Sequence, residues 1–434
     1  MLRSMTPASS WVVLALAAIG AFMTVTALVR GERLGWGNPI WFVFGWLTSE
    51  LAVFHIAGSM LIAAAFFLFS DAYHHAPGEV ALVLFYGSWC GLVIAQLRAR
   101  PTPTVLEHAL ADALGPDYRN RIPAARRAQL REAVTWQDLA RPFALRRGPV
   151  EWLRDRSYPG GHERNALDIY RPAGGCSGAP VLMQIHGGAW TFGNKHEQAL
   201  PLIYYLAARG WVVVSPNYRL SPASRFPDHL IDCKRAFAWA REHIAEFGGD
   251  PSFIAVTGGS AGGHLTALLG LTPNDARLQP GFEGIDTRPA ACVPFYGVYD
   301  FLDRHHVNAS GPRMVEWLEK TVMPCAPNAD PALWDLASPI AQVRSDAPPF
   351  FVLHGTHDSL ASVAEARLFV DRLRAISREP VAYAELAGAQ HAWEIFRSVR
   401  AVHSVHAVAR FLEWCRATRA TRPAAPPDAA LDGA

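Results

Sequence analysis

The sequence predicts an α/β protein: a mostly parallel eight-stranded sheet flanked by helices, preceded by a helical membrane region. Three observations carry this. Beyond residue 150 of the 434-residue chain, short β-rich runs alternate with helical ones, the pattern of a parallel sheet covered on both faces. Across 253–271 a strand-like run, a glycine-flanked serine and a helical run follow without a break. The first hundred residues contain three long runs without a charge.

Hydrophobic residues make up 50% of the chain and charged ones 18%, and the apolar excess is concentrated in residues 1–100. Runs 11–29 and 51–69 are 19 residues long and 80–97 is 18, close to the roughly 20 needed for a helical crossing. A cleaved signal peptide competes for the first run, because Arg3 precedes it, but further apolar segments follow and the run is long for such a leader. The aromatic stretch Trp41 to Leu47 is too short to cross alone, and is expected to lie at the interface or lengthen the second span, with a fourth span left open. Arg30 and Arg33 follow the first run, Arg98 and Arg100 follow the third, and the loop between the second and third has no Lys or Arg. That asymmetry predicts an integral plasma-membrane protein with its catalytic portion on the cytoplasmic side. Glu50 and His55 are read as interfacial and helix-facing rather than as a transport path.

Residues 101–149 form a basic helical linker or cap segment, with apolar positions Val105, Leu106, Leu110 and Leu114 among Arg119, Arg121, Arg126, Arg127, Arg131, Arg146 and Arg147. Attraction to anionic lipid headgroups and a solvated tether, with Glu107, Asp112 and Glu132 interspersed, are both open. The catalytic portion is expected over 150–418, with strands at 150–154, 166–170, 181–185, 211–215, 253–257, 291–295, 350–353 and 381–385. Residues 300–343 are longer than a simple crossover and predict a cap insertion over the site. The Ala/Pro/Asp-rich tail, 419–434, is expected to be disordered. Net charge is +2 without a basic stripe, which argues against nucleic acid. The six cysteines are scattered without a C-x-x-C pair, which disfavours a zinc site, while a Cys292–Cys325 bridge stays open.

The chemistry rests on three motifs in chain order. A serine hydroxyl is a weak nucleophile until a base takes its proton, and that base must be a histidine held in one tautomer by a carboxylate. Gly258-Gly259-Ser260-Ala261-Gly262 is a G-x-S-x-G turn between strand and helix, and nominates Ser260. Asp358 lies just after the strand 350–353, and His391 lies in the loop after the last strand. Asp300, Asp303 and Asp371 are poorer acids by position, while His264, His354 and His357 read as structural and His305 and His306 as cap residues. Gly187 and Gly188, after the strand 181–185, and Ala261 are candidate backbone donors to an oxyanion.

With His186-Gly187-Gly188-Ala189-Trp190, Asn217-Tyr218-Arg219-Leu220-Ser221-Pro222, Gly258 to His264, Asp358 and His391 in view, the chain resembles the hormone-sensitive-lipase-like esterases of the α/β-hydrolase superfamily over roughly 150–418. The span-bearing layout looks like actinobacterial membrane-associated members. The resemblance implies hydrolysis of carboxylic esters through an acyl-enzyme, with no metal or organic cofactor. Anchoring beside a bilayer makes hydrophobic or lipid-derived esters the expected substrates, with membrane lipids as surroundings. A serine amidase or formamidase with the same triad, and a non-catalytic ligand-binding protein on this fold, are the alternatives. Two positions depart from the family: Ala189 stands where a third glycine is common, and Gly259 where an aspartate is common.

Overall fold

A computed structural model describes residues 8–31, 38–130 and 134–420. Arg3, Arg33, Arg131, Glu132 and the tail from 421 lie outside the described residues. The chain opens with α1 (Ala8–Leu28), α2 (Asn38–Glu50), α3 (Ala52–Phe69) and α4 (Ala76–Ala99), followed by α5 (Thr102–Leu114). Among the described residues three helices are long and apolar enough to cross a membrane: Ala8–Leu28, Ala52–Phe69 and the continuous stretch Ala76–Leu114.

Eight strands follow: β1 (Val150–Ser157), β2 (Ala166–Pro172), β3 (Ala179–Ile185), β4 (Val212–Pro216), β5 (Gly249–Gly259), β6 (Cys292–Phe295), β7 (Phe350–Gly355) and β8 (Val381–Leu386). They form one sheet in the order β1-β2-β4-β3-β5-β6-β7-β8. The β1–β2 and β2–β4 pairs are antiparallel and all others parallel, so the expected mostly parallel eight-stranded sheet is the one observed. The helices on it are α6 (Leu200–Ala207), α7 (Asp228–His243), α8 (Ala261–Leu271), α9 (Gly311–Thr321), α10 (Pro331–Leu336), α11 (Val363–Ile376) and α12 (Val399–Ala420).

β3 shows why the strands are legible: every residue in it is buried, as a central strand covered on both faces requires. Leu182 joins the core under α5, α6 and α12, while its neighbours Val181 and Met183 join the opposite core under α7 and α8. That alternation is the two-residue period of a strand. The β6–β7 connection contains α9 and α10, and Trp317 of α9 approaches Trp190 with ring centroids 6.4 Å apart.

Segment 101–149 is part of the catalytic body rather than a tether. Leu106 and Leu110 are fully buried in the core beneath α12. Three of its arginines pair with protein acids: Arg119 with Glu107, Arg126 with the buried Glu413 of α12, and Arg147 with Asp138, which also receives Arg397. All six cysteines are free, so the Cys292–Cys325 bridge is not formed.

α2 also differs from expectation. It does not continue into α3: Leu51, at φ −114° and ψ 31°, breaks the helix between them. At 13 residues α2 is about 20 Å long, short of the roughly 30 Å hydrocarbon thickness. Glu50 at its end forms a buried ion pair with Arg400 at 2.8 Å and accepts from Ser398 at 2.6 Å. Arg400 in turn donates to the Ala387 carbonyl at 2.8 Å, in the loop that carries His391. Two more bonds tie the long apolar helices to the catalytic portion or to each other: His357 Nδ1 lies 3.3 Å from the Ala27 carbonyl, and Arg98 donates to the Leu28 carbonyl at 2.8 Å.

Removing one member of a buried ion pair leaves an uncompensated charge. Glu50→Ala should therefore cost about 3–5 kcal/mol, read as a lowered midpoint in thermal unfolding of the full-length protein in detergent micelles. An unchanged midpoint would show that the pair does not hold α2.

Candidate active site

β5 delivers Ser260 into a turn at φ 59° and ψ −122°, and α8 begins at the next residue. A left-handed, non-helical serine between strand and helix is the strained geometry that lifts a side chain clear of the backbone. The Ser260 amide donates to the Phe295 carbonyl of β6 at 3.0 Å, which pins the turn to the sheet. A Cβ added at Gly187 would lie 3.2 Å from the Ser260 Cβ, so the glycine loop after β3 runs directly past the serine.

Asp358 and His391 meet although 33 residues separate them: His391 Nδ1 lies 2.7 Å from Asp358 Oδ2. Asp358 is fully buried and accepts backbone N–H bonds from Leu360 and Ala361 at 2.8 and 2.9 Å. Burial alone would raise its pKa, but His391, together with hydrogen bonds from His354 and His391, holds it well below the usual carboxylate range. An ionised carboxylate only accepts, so Nδ1 of His391 carries the hydrogen and Nε2 is left as the base. The Ser260 hydroxyl itself makes no hydrogen bond within 3.5 Å among the described residues, a separation common before substrate binds.

The three candidate donors do not stand alike. The Gly187 amide already donates to Gln198 Oε1 at 2.7 Å. The amides of Gly188 and Ala261 have no such partner among the described residues, nor has that of Ala189. Gly188 sits at φ 118°, and a Cβ there would overlap the Phe192 carbonyl, so this turn needs glycine. Ala189 tolerates φ 49° in place of the family's third glycine. The loop is held from behind: Tyr218 stacks on His186 at 4.3 Å and donates to its carbonyl at 3.0 Å. Burial pushes His186 down to about 3, so it stays neutral.

The other histidines lie in different surroundings. His264 is fully buried, accepts from Trp190 Nε1 at 3.2 Å and contacts the Ala337 carbonyl at 2.8 Å. His354 backs Asp358 at 3.3 Å, and His305 and His306 are exposed on the β6–β7 connection. Asp300 pairs with Arg304 at 3.4 Å, away from the His391 ring nitrogens.

Two features were not read from the sequence. Tyr296, just past β6, lies against the His391 ring with centroids 4.4 Å apart and donates to the buried Glu394. A Cβ at Gly259 would come within 2.5 Å of the Tyr296 hydroxyl. An aspartate side chain at 259 would therefore overlap Tyr296, whose hydroxyl is bound by the buried Glu394; burial pushes Glu394 up to about 7. The second feature is α2 itself. Phe42 meets His391 edge-on with centroids 5.9 Å apart, and Trp46 Nε1 donates to the Ala392 carbonyl at 2.8 Å. Asn38 bridges the other rims, donating to Ser310 Oγ at 2.9 Å and accepting from Ser359 Oγ at 3.1 Å. The aromatic run 41–47 was visible as a signal, but nothing local in it names His391 as its neighbour.

Restoring the family residue tests the steric account: Gly259→Asp should abolish labelling of Ser260 by a fluorophosphonate, and Gly259→Asp with Tyr296→Ala should recover part of it. Full labelling of the single variant would contradict the clash.

The family profile BD-FAE matches residues 167–373, a stretch that contains Ser260 and Asp358. The chain is 42% identical over 398 residues to the probable carboxylic ester hydrolase LipM of Mycobacterium tuberculosis, covering 89% of each chain. It is 39% identical over 384 residues to esterase LipQ of the same organism, covering 86% of this chain and 83% of that one. In fold it is similar to the crystal structure of esterase B from Lactobacillus rhamnosis, at a TM-score of 0.54 and 21% identity, covering 70% of this chain and 98% of that one. By sequence, the chain belongs to the hormone-sensitive-lipase-like esterase family of α/β-hydrolases.

Proposed function

We propose that the protein is a membrane-anchored serine carboxylesterase acting on hydrophobic or lipid-derived esters. The observation that carries this is the Asp358–His391 hydrogen bond of 2.7 Å beside a strand-to-helix serine. In this reading Ser260 Oγ attacks the ester carbonyl carbon as its proton passes to Nε2 of His391. The developing imidazolium is stabilised by the Asp358 carboxylate. The oxyanion takes backbone N–H donors from Gly188, Ala261 and Ala189, with Gly187 joining only if Gln198 releases its amide. His391 then gives the proton to the alcohol oxygen, the C–O bond breaks and the acyl group stays on Ser260. Water, activated by Nε2, repeats the sequence, and releases the acid and free serine.

Anchoring through α1, α3 and α4, with the catalytic portion on the cytoplasmic side, is part of the same proposal, supported by the three apolar helices and by Arg30, Arg98 and Arg100 at their ends. The β6–β7 insertion would serve as a cap, supported by the Trp317–Trp190 contact with the oxyanion loop.

Hydrolysis of p-nitrophenyl butyrate by the full-length protein is the test. Ser260→Ala should abolish it, and Asp358→Asn, which favours the wrong histidine tautomer, should lower kcat by about 10⁴-fold. A rate that survives Ser260→Ala would place the chemistry elsewhere, and turnover of amides but not esters would favour an amidase.

A further inference from the structure

A cavity of about 620 Å³ opens at the corner between α2 and α3, away from Ser260. Leu47, Leu51 and Phe54 line it from the membrane side and Pro142, Phe143 and Ala144 from the catalytic side. Its size is that of a small-molecule site. It is walled by a helix of membrane-crossing length, so it adjoins the hydrocarbon that α3 would traverse. A row of rings joins it to the catalytic histidine. Phe143 meets Phe396 at 5.2 Å, Phe396 meets Trp46 at 5.2 Å, Trp46 stacks on Phe42 at 5.3 Å, and Phe42 meets His391 at 5.9 Å. Phe42, Trp46 and Phe396 are each only partly buried, so the row presents an apolar face instead of being sealed inside the core. Arg141, at the cavity edge, is exposed.

We propose that this cavity and the ring row form the site for a long acyl chain of the ester substrate. The carbonyl lies at Ser260, the chain runs along Phe42, Trp46 and Phe396, and its end occupies the α2–α3 corner. The assignment deepens the esterase reading and rests on it. An apolar chain gains by leaving water for such a lining, and a row of fixed rings selects for length because each further methylene finds a further contact. A bilayer lipid resting in the same cavity would have the same hydrocarbon chemistry, but its presence would not couple the cavity to turnover.

The experiment is kcat/KM for p-nitrophenyl butyrate and p-nitrophenyl palmitate with full-length protein in detergent micelles, with Ser260→Ala as the blank. Leu47→Trp fills the cavity from α2, and Ala144→Trp fills it from the opposite wall, so a folding defect in one does not decide the result. In both variants the palmitate-to-butyrate ratio should fall by roughly tenfold or more, the scale on which a pocket discriminates apolar chain length. A ratio unchanged in both, with Ser260-dependent hydrolysis intact, overturns the site and leaves the esterase standing. That is also the result for a resident bilayer lipid. Absence of Ser260-dependent hydrolysis for either ester overturns the esterase reading and this site with it.

Discussion

The buried ion pair between Glu50 and Arg400 joins the two halves of the protein, and the shape of the site depends on it. Both side chains are about 1% exposed, so neither is solvated and each needs the other. Such a pair gives little net stability, because desolvation offsets most of the attraction, but it tolerates only one register. Here the register matters. Arg400 also grips the Ala387 carbonyl, so the same cation fixes the end of α2 and the base of the His391 loop. With Glu50 in place, Phe42 and Trp46 fall on His391 and Ala392, and Asn38 reaches Ser310 and Ser359. One short helix thereby touches the loops after β6, β7 and β8.

This arrangement brings the N-terminal helical region against the loop that carries His391. Asp358 fixes the tautomer of His391 from below, and Tyr296 and Phe42 confine the ring from two sides. An imidazole held this way loses little freedom when the reaction begins, which is how preorganisation lowers a barrier. The substitution of glycine for aspartate before Ser260 belongs to the same design. The room it vacates is taken by Tyr296, whose hydroxyl is held by Glu394.

Much of the fold was legible because central parallel strands are buried on both faces and stand out as short apolar runs. All eight expected strands coincide with observed ones, with ends shifted by up to a few residues. The Asp358–His391 contact and the strand-to-helix turn at Ser260 were legible because a turn and two strand ends bring such residues to one edge of a parallel sheet. What escaped was contact across long separations. Trp46 and Ala392 are 346 residues apart, and no periodicity within 41–47 distinguishes a lipid neighbour from a catalytic loop. The arginines of 101–149 misdirected attention partly for a related reason: Arg126 finds its acid, Glu413, in α12, far along the chain. The engagement of Gly187 by Gln198 likewise depends on how the loop closes eleven residues later.

The central claim is that α2 is part of the catalytic body. Amide hydrogen exchange on the full-length protein in lipid nanodiscs tests it most directly. The account predicts that 38–50 exchanges as slowly as the loop 387–400, and that Glu50→Ala accelerates both segments together. Fast exchange across 38–50 beside a protected 387–400 would show that the helix is not part of the site, and would contradict the account.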